Sequence, residues 1–307
     1  GQVRTRSETP GFAPNPNDVL YVDENSAWVT RYEPNLDPEA APEDQGNDLV
    51  EINPSTMSLT GRRIDLSELS VIVEDSLVYA RPNRAVLVGG KAIVGLDLIS
   101  ADFATYGPGA VAIIDLEEGT VQSLPLSDGL KEELQNCGRL VPVPGEADKL
   151  IVSCNGPYLF DEAFNLDLEA KRKGSGVVLL EVNDGRASIE QSWAAAGGEA
   201  ALATSWLIAI DEERVVGVAE GDYNLGTPDE LYMTEIASGA QTLAHAGTAP
   251  GDLGVSAYDP DLEILFVPDA SAGAVLELAI DEDGAEELGS LPISPGGLPP
   301  RQVHLLK

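Results

Sequence analysis

A chain of 307 residues with 52 acidic against 18 basic side chains carries a formal net charge of −34. That surplus repels phosphate backbones and anionic lipid, which excludes nucleic-acid binding and direct adsorption to a membrane surface. The 43% apolar content can build a core, while no run reaches the roughly 18 uncharged apolar residues of a membrane helix.

Residues 1–16 are polar, Pro-rich and without period, and read as a tail or surface strap. Residues 17–307 read as one domain. Its first unit opens with Val19-Leu20-Tyr21-Val22, turns at residues 23–25 and returns as Ala27-Trp28-Val29-Thr30-Arg31-Tyr32. It continues with Leu49-Val50-Glu51-Ile52-Asn53-Pro54 and residues 60–66. A second unit runs through residues 81–88, a Gly89-Gly90 turn, residues 91–94, then Val111-Ala112-Ile113-Ile114-Asp115-Leu116-Glu117-Glu118-Gly119 and its return strand. Helix signals are scarce, the clearest being residues 130–135. The third unit occupies residues 140–143, 150–153, 177–182 and 187–192. The fourth takes residues 206–210, 214–219, 231–236 and 241–245, and the fifth residues 254–258, 264–267, 275–280 and 286–290. Residues 300–306 read as one more strand, expected to pair with the N-terminal region and close a ring.

Each unit therefore holds two hairpins, and the second repeats one phrase: an apolar strand, an acidic or small-residue turn, a return strand. A four-strand module repeated along the chain is the signature of an all-β fold, a β-propeller of four-stranded blades. Direct counting gives five blades, with six or seven open if residues 71–79 and the termini build more. Runs such as Val111–Ile114 and Val177–Leu180 are apolar without alternation, which fits sheets covered on both faces. The 31 Gly and 21 Pro supply the many turns.

Cys137 and Cys154 bracket a hairpin whose turn is Pro144-Gly145-Glu146-Ala147-Asp148, so folding it brings them close to opposite one another. A disulfide is expected, and with it an oxidising compartment. No signal peptide is visible in these 307 residues, so an exported chain would be represented in mature form.

The phrase Ala27-Trp28-Val29-Thr30-Arg31-Tyr32 followed by Leu49-Val50-Glu51-Ile52-Asn53-Pro54 resembles the YVTN-type bacterial β-propeller repeat, as do Thr60-Gly61-Arg62-Arg63-Ile64-Asp65-Leu66 and residues 270–280. Arg31 stands where that repeat prefers Asn, and the units are longer. The resemblance spans roughly residues 15–306 and implies an exported binding module of the bacterial periplasm or cell surface. It implies no catalytic residues.

The long connections, residues 33–47, 98–109, 156–176 and 221–229, all join second to third strands. In a four-stranded blade these emerge on one face, together with the inter-blade segments 67–81 and 127–136. Binding insertions of repeat proteins gather on such a face. Here it carries Tyr32, Phe103, Tyr106, Tyr158, Phe160, Phe164 and Tyr223 among Asp37, Glu39, Glu43, Asp44, Asp161, Glu162, Asp167, Asp222 and Asp229. Aromatic anchors among carboxylates suit a protein partner bearing Lys or Arg; alternatively, the rings pin the loops to the disc. Lys171-Arg172-Lys173 reads as a solvated loop tip or as partner to a neighbouring acid.

Chemistry-bearing motifs are weak. His245 and His304 are the two histidines and read as structural, which disfavours a zinc site or a Ser-His-Asp triad. Gly107-Pro108-Gly109 and Pro295-Gly296-Gly297 are turns without a phosphate-loop lysine. Asp281-Glu282-Asp283-Gly284 has a calcium-like composition without EF-hand spacing. No cofactor is expected, with calcium the one candidate. The expected function is an exported, non-catalytic scaffold that binds a protein through its long-loop face. The alternative is a calcium-dependent lactonase or hydrolase with carboxylates around a metal in the central channel.

Overall fold

The structure, a computed structural model, describes residues 12–41, 44–127, 133–162, 164–194, 206–223, 225–281, 284–293, 298–303 and 305. Glu43, His304, the Pro295-Gly296-Gly297 turn, the middle of Asp281-Glu282-Asp283-Gly284, the first half of the residue 130–135 helical turn and the first eleven residues of the tail lie outside them.

The described residues form five antiparallel sheets, four of four strands and one of five. The first contains β1 (Pro16–Asp23), β2 (Ser26–Pro34), β3 (Gly46–Asn53) and β4 (Ser58–Asp65). The second contains β5 (Val71–Val73), β6 (Ser76–Val88), β7 (Lys91–Ser100), β8 (Ala110–Ile114) and β9 (Val121–Pro125). The third contains β10 (Arg139–Pro142), β11 (Lys149–Asn155), β12 (Ser175–Asn183) and β13 (Arg186–Ala194), with helix α1 (Leu168–Lys173) before β12. The fourth contains β14 (Leu207–Ala209), β15 (Arg214–Ala219), β16 (Glu230–Glu235) and β17 (Gln241–Ala246). The fifth contains β18 (Ala257–Asp259), β19 (Ile264–Asp269), β20 (Ala274–Ile280) and β21 (Ala285–Pro292). Every sheet pairs its strands in sequence order, as successive hairpins of low contact order do.

The recurring acid-to-glycine turn has a local cause. After β8, the Asp115 carboxylate accepts the backbone N–H groups of Glu117 and Glu118, both at 2.9 Å. Gly119 then takes φ +71°, where a Cβ is strained. The Asp211 side chain does the same for Glu213 and Arg214 before β15. These turns are set by residues at fixed offsets, so they are readable without knowing the fold.

Between neighbouring sheets the apolar faces interlock. Leu20, Trp28 and Leu49 pack with Val78, Val94 and Leu96 between the first two sheets. Ile93, Val111 and Ile113 meet Leu150, Val178 and Leu180 between the second and third. Ile151 and Leu179 meet Leu207 and Val215 between the third and fourth, and Val216 and Val218 meet Leu265 and Leu278 between the fourth and fifth. Each interior sheet is thus buried on both faces, which is why β8 and β12 read as unbroken apolar runs. The first strands of the first, third and fourth sheets and β6 of the second also touch, β1 with β6, β6 with β10 and β10 with β14, so they form the inner edge of the stack.

Two expectations about extra strands change. Residues 71–79 build no separate blade: β5 pairs with the start of β6 and widens the second sheet to five strands. The C-terminal strand was expected to pair with the N-terminal region. Its described part instead lies parallel to the fifth sheet's own entry, with Gln302 opposite Val255. The Val255 N–H reaches the Arg301 carbonyl and the Val303 N–H reaches the Val255 carbonyl, both at 2.9 Å.

Candidate functional site

The connections between second and third strands meet across sheet boundaries, which places them on a common face. Between the first two sheets the tie is Arg81. Its buried guanidinium lies 5.3 Å from the Tyr32 ring centre and 4.3 Å from that of Phe103. It donates to the carbonyls of Ile99 at 3.3 Å and Ser100 at 3.1 Å and pairs with the Glu33 carboxylate. Tyr32 and Phe103 are therefore stacked against a cation from their own chain, although Phe103 stays partly exposed.

Beside this stack lies Asp97, buried at the junction of three sheets. Its carboxylate accepts the Asn83 amide at 2.7 Å, with the Tyr32 hydroxyl and the Gly138 backbone close enough to act on its charge. A Cβ at Gly138 would overlap both the Asp97 carboxylate and the Asn83 amide, so that position must be glycine. Burial pushes Asp97 up to about 6, against the lowering effects of the Asn83 hydrogen bond and the Arg139 charge. The Tyr32 phenol is pushed well above its ordinary range by the same burial and by the charge of Asp97.

A folded-state value near 6 against an unfolded value of 3.8 fixes the sign of a pH effect. Below the unfolded value Asp97 is protonated in both states and its contribution is fully present. As pH rises to the folded value the unfolded chain ionises first, and roughly 3 kcal/mol is lost between about pH 4 and 6. Chemical denaturation across this range should therefore show the difference in stability between wild type and Asp97→Asn shifting by about that amount. Parallel pH profiles for the two proteins would refute the assignment.

Between the third and fourth sheets the tie is Lys171 on α1. The Lys171-Arg172-Lys173 cluster is not a solvated loop tip: it forms the last turn of α1, and Lys171 is buried. Asp167 caps the helix by accepting the Ala170 N–H at 2.9 Å, and the Gly174 N–H closes the other end on the Ala170 carbonyl at 3.2 Å. This aims the Lys171 ammonium at Glu220, 2.7 Å away at the end of β15, and over the Tyr158 ring at 3.6 Å. The same Glu220 oxygen accepts the Tyr158 hydroxyl at 3.0 Å. Burial lowers the Lys171 pKa against the opposing Glu220 charge, and burial with that charge raises the Tyr158 phenol.

Above this triad opens a cavity of about 350 Å³, walled by Leu166, Leu168, Lys171, Glu220, Asp222 and Leu225. The two loops that form its walls also carry Phe164 and Tyr223, which with Leu225 are 79, 76 and 75% exposed; Phe160 is exposed as well. Such solvation of large apolar side chains on adjoining loops is the informative feature of this surface.

The remaining sequence candidates divide by placement. Tyr106 is buried, its carbonyl accepting the Gln135 side chain at 3.3 Å, and so supports its loop from beneath. The Asp161 carboxylate accepts the backbone and side-chain N–H groups of Asn165, both at 2.9 Å, and Asp222 accepts the Leu225 N–H at 3.1 Å. Both acids shape the loops that carry the exposed rings. Asp229 is buried and accepts the N–H groups of Gly221, Gly251 and Leu253 at 2.9 to 3.0 Å, so it is a loop anchor. Asp37 caps its own turn through the Glu39 N–H. His245 lies 3.8 Å from the Asp269 carboxylate. Among the described residues no three His, Cys, Asp or Glu side chains converge as a metal site requires, and no helix is long and apolar enough to cross a membrane.

Sequence reasoning passed over Asp97 and Glu220, while of its two readings of the Lys171 cluster the pairing with a neighbouring acid is the one Lys171 follows. Asp97 had a signal, as the lone acid within the apolar run of β7. Glu220 had none, because its role depends on a helix formed about 50 residues earlier.

No protein-family model and no curated protein matches the chain. Among solved structures, the hypothetical selenium-binding protein of Sulfolobus tokodaii superposes with a TM-score of 0.52 at 11% identity, over 93% of this chain and 61% of that one. KlAtg21, solved in complex with the coiled coil of AgAtg16, gives 0.51 at 12% identity over 91% and 72%. The fold is that of a β-propeller. AztD of Citrobacter koseri gives 0.46 at 14% identity, over 91% of this chain and 60% of that one. At such identities the likeness concerns fold alone.

Proposed function

We propose that this propeller is an exported, non-catalytic binding protein whose long-loop face holds a protein partner, with the five sheets as its blades. The reading rests on one observation: Phe160, Phe164, Tyr223 and Leu225 stand exposed on the loops around a cavity whose charged floor is already internally paired. Aromatic rings at the mouth of a cleft are what interface anchors look like. Lys171, Glu220 and Tyr158 are engaged with one another, so these three groups hold the loops in place. Asp161 and Asp222 beside the rings favour a partner with basic side chains. The Cys137–Cys154 disulfide fits an oxidising compartment, the bacterial periplasm or cell surface.

The test begins with crosslinking in the native envelope and identification of the partner by mass spectrometry. Binding of the purified pair is then compared for wild type and a Phe164→Ser, Tyr223→Ser variant. Removal of two such anchors should weaken the complex at least about tenfold with an unchanged melting temperature. An unaltered dissociation constant would refute this face as the interface. One-to-one calcium uptake abolished by mutating carboxylates at the inner edge would favour a calcium-dependent lactonase or hydrolase instead.

A further inference from the structure

Among the described residues, the cations buried at this face are consumed by acceptors, with one exception. Arg31 is held by Asp48, Arg81 by Glu33 and two carbonyls, and Lys171 by Glu220. Arg139, the first residue of β10, has its Nε buried with no hydrogen-bond partner and no carboxylate within ion-pair distance. The rest of its side chain is only partly buried. A buried donor without an acceptor costs on the order of 1–3 kcal/mol, and arginine stays charged at any working pH.

Among the described residues, its neighbours are engaged elsewhere. Register pairs Arg139 with Ser153 at the loop-face end of the inner edge. Asp97 and Tyr158 are the groups that feel its charge. Asp97 already accepts the Asn83 amide. Tyr158 gives its hydroxyl to Glu220, and Glu220 is matched by Lys171. These acceptors are engaged with other partners, so an acceptor supplied from outside would meet the Arg139 Nε without displacing one of them.

We propose that Arg139 is a binding residue for a single carboxylate, delivered from the long-loop face to the inner edge of the stack. A carboxylate fits because its two oxygens match the Nε–Nη edge of a guanidinium side by side. With no hydrogen bond or ion pair tethering the head, presenting that edge requires only a rotamer change. A phosphate dianion fits poorly, because Asp97 and Glu220 bring two negative charges against the two positive charges of Arg139 and Lys171. The chemistry is shared by small organic acids and by the free C-terminus of a peptide. This inference does not rest on the partner-binding reading, since Arg139 is distinct from the exposed rings.

The test is a titration of isotope-labelled protein followed through the Arg139 Nε–H signal, assigned by its loss in Arg139→Gln. Acetate, a tripeptide with a free C-terminus, the same tripeptide amidated, and inorganic phosphate are the probes. Acetate should shift the signal saturably, with affinity at least about tenfold weaker in calorimetry for Arg139→Gln and partly retained in Arg139→Lys. Tighter binding of the free tripeptide than of acetate or its amide identifies a chain terminus; equal binding of acetate and tripeptide identifies a small acid. A signal unmoved by either carboxylate, equal affinity in Arg139→Gln, or a response to phosphate stronger than to acetate would each overturn the assignment. Arg139→Lys and the wild-type signal keep the test decisive should Arg139→Gln fold poorly.

Discussion

Replacing Asp48 by alanine is expected to destabilise the protein by about 3–5 kcal/mol, measured as a fall in denaturant midpoint. Asp48 is fully buried on β3, directly opposite Arg31 of β2. The Arg31 Nε donates to one carboxylate oxygen at 2.7 Å and its Nη2 to the other at 2.6 Å. Arg63 of β4 adds a further hydrogen bond through its own Nε. Three strands of the first sheet are thus tied by one carboxylate between two guanidinium groups. Truncation takes from the buried Arg31 and from Arg63 the carboxylate they share, and the desolvation left behind, more than the lost attraction, sets the cost. The double variant Arg31→Met, Asp48→Leu separates the two. If uncompensated charge is the cause, the apolar pair should recover most of the loss. If the double variant is as unstable as Asp48→Ala, the carboxylate acts by specifying strand register instead.

This pair also marks where the sequence could be read and where it could not. The strands were legible because each is written locally: an apolar run, an acid at the turn, a glycine at positive φ, as in Val111–Gly119. Sheet membership was legible because successive hairpins pair in order, so no long-range choice arises. Arg31 was visible only as a departure from the repeat it resembles. Its reason, Asp48 across the strand, needed register, and a one-residue slip would have separated them. The same limit applies to the site. Tyr32 and Phe103 read as surface rings because they flank long connections, but their stacking on Arg81 depends on two sheets meeting. Phe164 and Tyr223 share those attributes and stand in solvent. Composition alone does not distinguish a ring that anchors a loop from one that awaits a partner, because burial is decided by the neighbouring sheet.

The charge pattern becomes interpretable at this level. Lys149 bridges Glu190 and Glu212, Lys91 meets Asp115, and Arg214 meets Asp211. Several of the few bases are therefore spent on turns at the end of the stack opposite the long loops. Such exposed pairs contribute little individually. Their consequence is that the net negative charge is left to the rest of the surface, including the loops around the cavity. A basic partner would be steered to that face, with an association rate falling as salt rises.

Removing the disulfide through Cys137→Ala, Cys154→Ala is expected to cost about 3 kcal/mol. The two cysteines are 17 residues apart in sequence, and closing a loop of that size restricts the unfolded chain by about this amount. Alanine is the right replacement because both sulfurs are buried in the core between the second and third sheets, where a serine hydroxyl would add a desolvation cost. Other bonds already hold the segment: Leu96 bridges Cys137, and the Asn155 and Gly156 N–H groups reach the Asn136 and Gln135 carbonyls at 2.9 and 3.1 Å. The folded variant should therefore keep its β-sheet circular dichroism while its denaturant midpoint falls. The unfolded-state origin makes a further demand: the loss should appear mainly in the refolding rate if β10 and β11 pair before the transition state, and mainly in the unfolding rate if they pair after it. A loss below about 0.5 kcal/mol would show that these backbone bonds already restrict the chain as far as the crosslink does.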